Sequence, residues 1–281
     1  MAKRTIAQFF STLLYNPYLS NLTGGRISRE WTKNICVPGL NCYSCPAAAA
    51  ACPLGSLQSF FSGAVPKFPA YVLGTMLLFG LLLGRVICGW ACPFGFLQEL
   101  LHKLPGPKLK KSKLTQRLSR LKYLWAVVFV LILPFAFFFM TGIGVPAFCK
   151  FICPAGTLEG AVPLLSFNPM LRSAAGWLTV WKFSLLAVFL ILMVFIYRPF
   201  CRWFCPLGAF YGLLNKYALL GITVNASSCI HCGKCAAVCK MDTKIAGDHE
   251  CISCGSCISS CPTQAIQFHR LSNKNNESSK T

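Results

Sequence analysis

Eight cysteines near the C-terminus constrain this chain more than any other feature. They run Cys229-x2-Cys232-x2-Cys235-x3-Cys239, then Cys251-x2-Cys254-x2-Cys257-x3-Cys261-Pro262. A close triplet can wrap three corners of a cube, and in domains with two [4Fe–4S] clusters the fourth corner comes from the other run. The spacing therefore assigns Cys229, Cys232, Cys235 and Cys261 to one cluster. Cys251, Cys254, Cys257 and Cys239 take the other. Zinc knuckles would call for paired CxxC units with longer gaps. One departure exists: Cys239 precedes Lys240 rather than proline.

A second cysteine pattern lies upstream. Cys52, Cys92, Cys153 and Cys205 each open a C-P-x-G sequence, and three have a cysteine four residues earlier: Cys88, Cys149 and Cys201. In the first copy that slot is Ala48, with Cys36, Cys42 and Cys45 further back. A residue before proline is pushed out of the helical region, and proline suits the first helical position. Each C-P cysteine thus reads as a cap between two helices. The free N–H groups and positive dipole end of the new helix favour thiolate there. Two thiolates do not complete a cubane, so motifs must pair. Cys88 and Cys92 are expected to meet Cys201 and Cys205. Cys149 and Cys153 must meet the N-terminal set, where Cys36, Cys42, Cys45 and Cys52 compete. The repeat favours Cys52 with Cys42 or Cys45; alternatively the N-terminal four hold a cluster alone. The competing reading of all these motifs is disulfides or inert buried thiols.

The surroundings are apolar. The chain is 55% hydrophobic and 12% charged, against roughly 25% charged residues in soluble domains. Three stretches are long enough to span a bilayer: Phe68 to Ile87, Tyr123 to Thr141 (with a kink expected at Pro134) and Trp177 to Tyr197. Thr5 to Leu22 reads equally as a fourth crossing or an interfacial amphipathic helix. The loop holding Lys103, Lys108, Lys110, Lys111, Lys113, Arg117, Arg120 and Lys122 has no acid, so the positive-inside rule places it in the cytoplasm. Gly142–Gly176 and Cys36–Cys52 then lie outside, and everything after Arg198 inside. The C-P-x-G copies alternate outside, inside, outside, inside, which suggests two similar halves. The two faces would stand roughly 30 Å apart, far for one electron hop, unless the motifs dip inward or a quinone or partner cofactor bridges them.

The expected fold is an α-helical integral membrane protein. It has three to four transmembrane helices, two pseudo-repeats and a C-terminal α+β domain of the two-cluster bacterial ferredoxin type. Its regions are 1–67 (an N-terminal helix and an extracytoplasmic Cys-rich segment), 68–220 (transmembrane), 221–270 (ferredoxin) and 271–281 (a disordered tail).

The formal charge of +20 does not point to nucleic acid, because the basic residues flank apolar spans. Arg85, Arg198 and Arg202 read as interfacial anchors, with contact to a cluster or quinone headgroup as the sharper alternative. Arg85 and Lys182 are expected to snorkel. Gln58, Gln98 and Glu159 share one repeat position and read as polar residues on short surface helices. No histidine lies in a span, which excludes a bis-His haem there. No P-loop, dinucleotide fingerprint or Ser–His–Asp set is apparent. Nor is a signal-peptide cleavage site, so the cysteines are read for metal rather than a secreted disulfide scaffold.

Together CGWACPFG (Cys88–Gly95), CRWFCPLG (Cys201–Gly208) and the eight C-terminal cysteines resemble the membrane-bound polyferredoxins of the NapH and NosR type. The resemblance covers Phe68 to Cys261. It implies an electron carrier or redox subunit rather than a stand-alone catalyst, in the inner membrane of a prokaryote, with the ferredoxin domain cytoplasmic. Electrons would pass between a cytoplasmic donor or quinone pool and an extracytoplasmic flavoprotein or reductase, as in anaerobic respiration. One or two further [4Fe–4S] clusters are expected at the C-x-x-x-C-P motifs, besides the two in the ferredoxin domain. The segment CVPGLNCYSCPAAAAACPLG departs from the plainest members, and no large flavin domain is apparent. Two other readings remain open: an iron–sulfur redox regulator or metal-reducing maturation factor, and a transporter, which the lack of intramembrane acids disfavours.

Overall fold

The computed structural model describes residues 2–25, 27–28, 30–60, 68–109, 112–241 and 243–269. The expected tail at 271–281 lies outside them.

Two helices are long and apolar enough to cross a membrane: Leu114–Thr141, of 28 residues, and Trp177–Phe195, of 19. Only 11% and 17% of their apolar windows are buried, so neither is the core helix of a water-soluble domain. Phe139, Met140, Trp177 and Ile191 all face outward. The first of these helices begins well before Tyr123. Ser112 and Thr115 form a capping box at its start, satisfying N–H groups that would otherwise lack partners. A π-helical stretch, Ala126–Ile132, comes just before Pro134, whose ring and missing N–H disturb the regular ladder.

The stretch Phe68 to Ile87 is not one continuous helix. It forms Ala70–Leu83, about 21 Å long, and stops at Gly84, where φ is +50°. A Cβ there would stand 2.7 Å from Asn215 Oδ1 and 2.8 Å from the Ala218 Cβ. The left-handed turn and the close approach both require glycine. Helix resumes as Val86–Trp90, which turns the chain toward the first inner cysteine.

The N-terminal helix, Ala2–Tyr15, ends short of Pro17. Its polar face is the inner one. Buried Gln8 donates to the Gly89 carbonyl at 2.9 Å, and Ser11 to Ala91 at 2.9 Å. Ile6, Phe9, Phe10 and Leu14 are exposed. A helix in water packs the other way round; this arrangement suits hydrocarbon outside.

The bundle core is aromatic. Phe200 meets Phe94 at 5.2 Å and Phe189 at 5.5 Å, both edge to face, and Trp125 stacks on Phe204 at 5.4 Å. Beyond it, strands Gly221–Val224 and Ile266–His269 pair antiparallel with Ile222 opposite Phe268, closing the ferredoxin-like unit around its cysteine loops. That unit docks on the bundle. Trp90 Nε1 donates to the Ser253 carbonyl and Asn215 Nδ2 to that of Asp248, each at 2.9 Å. Gly89 lies against the Ile252 carbonyl so closely that no side chain fits between them. Arg85 and Lys122, both fully buried, share the carboxylate of Glu250.

Candidate iron–sulfur sites

Each C-x-x-x-C-P motif folds the same way. Cys88, Cys149 and Cys201 sit on five-residue helical turns, Val86–Trp90, Ala147–Phe151 and Pro199–Trp203. The chain then leaves the helix at an extended cysteine and starts again at proline. Cys92, Cys153 and Cys205 are these caps, with ψ of 118°, 108° and 110°. The glycine amide of each C-P-x-G turns back onto the cap sulfur. Gly156 donates to Cys153 Sγ at 3.4 Å and Gly208 to Cys205 Sγ at 3.3 Å. Gly55 and Gly95 serve Cys52 and Cys92 in the same way.

Cys88, Cys92, Cys201 and Cys205 line one enclosed void with Arg85, Leu207 and the Pro38–Leu40 backbone turn. Arg198 ion-pairs with Glu99 at 2.8 Å and donates to the Cys88 carbonyl. Arg85 and Arg198 are fully buried, and Arg202 nearly so. They are therefore not interfacial anchors: carboxylates and carbonyls in the core draw them inward. The Nε atoms of Arg85 and Arg198, and Nη2 of Arg85, have no hydrogen-bond partner. Buried donors without partners, around four thiols, suit an anionic core. Among the described residues, no three His, Cys, Asp or Glu converge on a single-ion position. The thiols surround a void instead, as a multi-atom core requires.

The second group draws on both the N-terminal cysteines and the Cys149–Cys153 motif. A larger cavity, about 730 Å³, is lined by Cys36, Cys42, Cys52, Cys149 and Cys153, with Lys33 and Lys182. Cys42, Cys52 and Cys153 all bear on the Cys149 thiol. A Cβ on Gly156 would stand 3.5 Å from Cys42 Sγ, and one on Gly55 3.9 Å from Cys149 Sγ. Cys45 does not line this cavity; it is buried with Ala47 and Ala48, against Leu22 and Cys42. Cys36 bridges Ala51 through its backbone and also lines the cavity. Lys182 does not snorkel; its Nζ holds the Cys149 carbonyl at 3.2 Å. Burial pushes the Cys52 thiol up to about 12 and that of Cys153 to about 11. Neither would ionise at neutral pH without a bound cation to displace its proton.

Gln58, Gln98 and Glu159 also depart from expectation. Gln58 and Gln98 are fully buried, and each reaches a cysteine motif. Gln58 Oε1 accepts from the Cys149 amide at 3.3 Å. Gln98 Nε2 donates to Cys201 Sγ at 2.9 Å. Glu159 Oε2 accepts from the Cys42 amide at 2.7 Å, and desolvation raises its carboxyl to about 7. Sequence reasoning saw the shared position and missed its burial. It also passed over Tyr211, the fourth residue of the series, which is fully buried with an unpartnered hydroxyl.

In the C-terminal unit, Cys239, Cys251, Cys254 and Cys257 line a third void, which Cys235 also touches. Thr243 donates to Cys239 Sγ at 2.8 Å. Cys235 and Cys261 pack beside Cys257, Ile222 and Ile266. Cys229 and Cys232 lie on the loop before the Lys234–Val238 helix, Cys232 exposed.

These groups adjoin. Leu40 lines both the inner void and the large cavity. Gly89, beside Cys88, abuts Ile252, beside Cys251. The motifs are thus not held on two faces a bilayer apart. The Cys36–Cys52 segment is no peripheral flap either. Its Gly39 turns in against Tyr15 and Pro93, where a Cβ would meet them at 3.2 and 3.3 Å.

A family model described as a 4Fe-4S binding domain matches residues 68–112, 125–166 and 177–223, each segment holding one C-x-x-x-C-P motif. A second model of the same description matches 248–267. An uncharacterized protein of Methanocaldococcus jannaschii is 33% identical over 77% of this chain and 85% of its own length. The methylamine utilization ferredoxin-type protein MauN of Methylobacillus flagellatus is 30% identical over 66% of this chain and 60% of its own. The putative electron transport protein YccM of Escherichia coli is 29% identical over 64% of this chain and 49% of its own. The regulatory protein NosR of Stutzerimonas stutzeri is 30% identical over 57% of this chain but only 21% of its own. No solved structure matches the chain. With its cysteine motifs, its apolar helices and these relatives, the chain belongs to the NosR/NapH-type family of 4Fe-4S ferredoxin-like proteins.

Proposed function

We propose that this protein is a membrane-embedded electron relay carrying four [4Fe–4S] clusters. The ferredoxin unit uses Cys229, Cys232, Cys235 and Cys261 for one, and Cys251, Cys254, Cys257 and Cys239 for the next. Cys88, Cys92, Cys201 and Cys205 hold the third. Cys42, Cys52, Cys149 and Cys153 hold the fourth, leaving Cys36 and Cys45 as thiols. Bound clusters supply one-electron chemistry. The chain supplies thiolates, buried cations that offset their charge, and a dry path between sites.

The observation that carries this reading is the contiguity of the cysteine groups. Leu40 separates the outer pair of motifs from the inner pair, and the Gly89–Ile252 contact joins the inner pair to the ferredoxin unit. The ferredoxin unit, with Cys232 exposed, is where a soluble cytoplasmic partner exchanges electrons. The wide outer cavity is where an extracytoplasmic partner approaches. The basic Lys103–Lys122 stretch puts the ferredoxin end inside, and Ala70–Leu83 is the third membrane-embedded helix.

Anaerobic purification with iron and sulfide analysis tests this. About sixteen irons per chain are expected, and near eight would reduce the membrane motifs to structure. Cys42→Ser should lower the count to about twelve while Cys36→Ala and Cys45→Ala leave it whole; loss on Cys45→Ala instead would overturn the outer ligand set. Sustained turnover between a donor and an acceptor supports a carrier. Redox-dependent partner binding without flux supports a regulator.

A further inference from the structure

One repeated feature has no place in ligation. Six residues after each C-P-x-G cysteine stand Gln58, Gln98, Glu159 and Tyr211. The first three act across the site, on the opposite motif of their own four-thiol group. Gln58, after Cys52, accepts from the Cys149 amide at 3.3 Å. Glu159, after Cys153, accepts from the Cys42 amide at 2.7 Å. Gln98, after Cys92, accepts from the Phe200 amide at 3.2 Å and donates to Cys201 Sγ at 2.9 Å. Each target is the first cysteine of the facing motif or the residue before it.

Tyr211, after Cys205, is the fourth. By its repeat position its counterpart is Cys88, the first cysteine of the facing motif. The side chain is fully buried and its hydroxyl has no partner. Of the cysteines near this phenol, Cys88 bears on it most strongly, ahead of Cys52 and Cys92. A buried hydroxyl without a partner is costly, and a thiol is a poor acceptor where a thiolate is a good one.

We propose that this position is a clamp between facing motifs, and that the Tyr211 hydroxyl donates a hydrogen bond to the Cys88 sulfur when the inner site is loaded. Gln98 and Tyr211 then form a matched pair, one donor to each of the two facing cysteines. Hydrogen bonds to cluster sulfur favour the form carrying the extra electron and raise its potential. The outer site differs, because Gln58 and Glu159 accept from backbone amides and the Gln58 Nε2 donates to the Phe129 carbonyl at 3.0 Å. The four residues thus bind their sites together while distinguishing the two centres electronically. Tyr211 and Gln98 are positioning residues, acting through cysteine.

The inference rests on the cluster reading, and the experiment separates the two. The full chain is purified anaerobically and titrated potentiometrically with EPR detection, the inner signal being the one lost in Cys88→Ser. Tyr211→Phe should keep about sixteen irons and move only the inner midpoint to a more negative value. Gln98→Leu should move it the same way. Replacing Tyr211 by 3-fluorotyrosine, a stronger donor of nearly the same shape, should move it positive, which a purely packing role would not. An unmoved inner midpoint in both Tyr211 variants, or a shift confined to another signal, overturns the clamp. An iron count near eight in the unaltered protein overturns the cluster reading instead.

Discussion

Glu250 carries more of the architecture than its place in a cysteine loop suggests. Its carboxylate is shared by Arg85 and Lys122, both fully buried, and the paired charges hold it below the usual carboxylate range despite burial. Glu250→Gln would leave two buried cations without a counter-charge, costing about 3–5 kcal/mol. Thermal denaturation in detergent should register this as a lowered midpoint, and Glu250→Asp should recover part of it. Residues of this kind were the least legible in the sequence. The position of Arg85 beside an apolar stretch was visible, but its partner lies 165 residues away. The same holds for Gln98, whose repeat position could be read but whose neighbour, Cys201, comes from a distant turn. Sequence spacing marks local chemistry well and carries no record of which distant carboxylate or thiol closes over it.

Among the elements, the motifs were read well because their constraints are local. Cysteine before proline forces a helix break wherever it occurs, and Cys92, Cys153 and Cys205 are all extended caps. Helix lengths were harder. Gly84 stops a stretch that hydropathy alone treats as continuous, because Asn215 and Ala218 pack against its backbone. The N-terminal helix was ambiguous because amphipathicity does not say which face is inner. Here Gln8 and Ser11 point to the bundle while Phe9 and Phe10 point away. Lipid contact at that face predicts that the fluorescence gained on Phe10→Trp is quenched by brominated lipid acyl chains. Equal quenching by aqueous iodide alone would place the helix in water.

At the scale of the whole molecule, the order of the cysteine groups predicts where a break in the chain of centres is felt. Cys205→Ser should remove the inner centre while leaving the ferredoxin EPR signals. Reducing equivalents given to the ferredoxin side of sealed vesicles should then no longer reach the outer centre. Outer reduction at the unaltered rate would mean that electrons enter elsewhere. That Cys88, Cys92, Cys201 and Cys205 line one void could be anticipated from topology. The meeting of inner and outer groups could not, because it depends on the inward turn at Gly39, a tertiary contact with no local signature.

Leu40 stands between those groups, and its side chain is 3% exposed. An apolar partition screens charge poorly. An electron arriving on one side of it therefore repels a second on the other. The two centres should fill one after the other, with anticooperative titration curves, and Leu40→Asn, by admitting polarity to the partition, should bring their midpoints closer together.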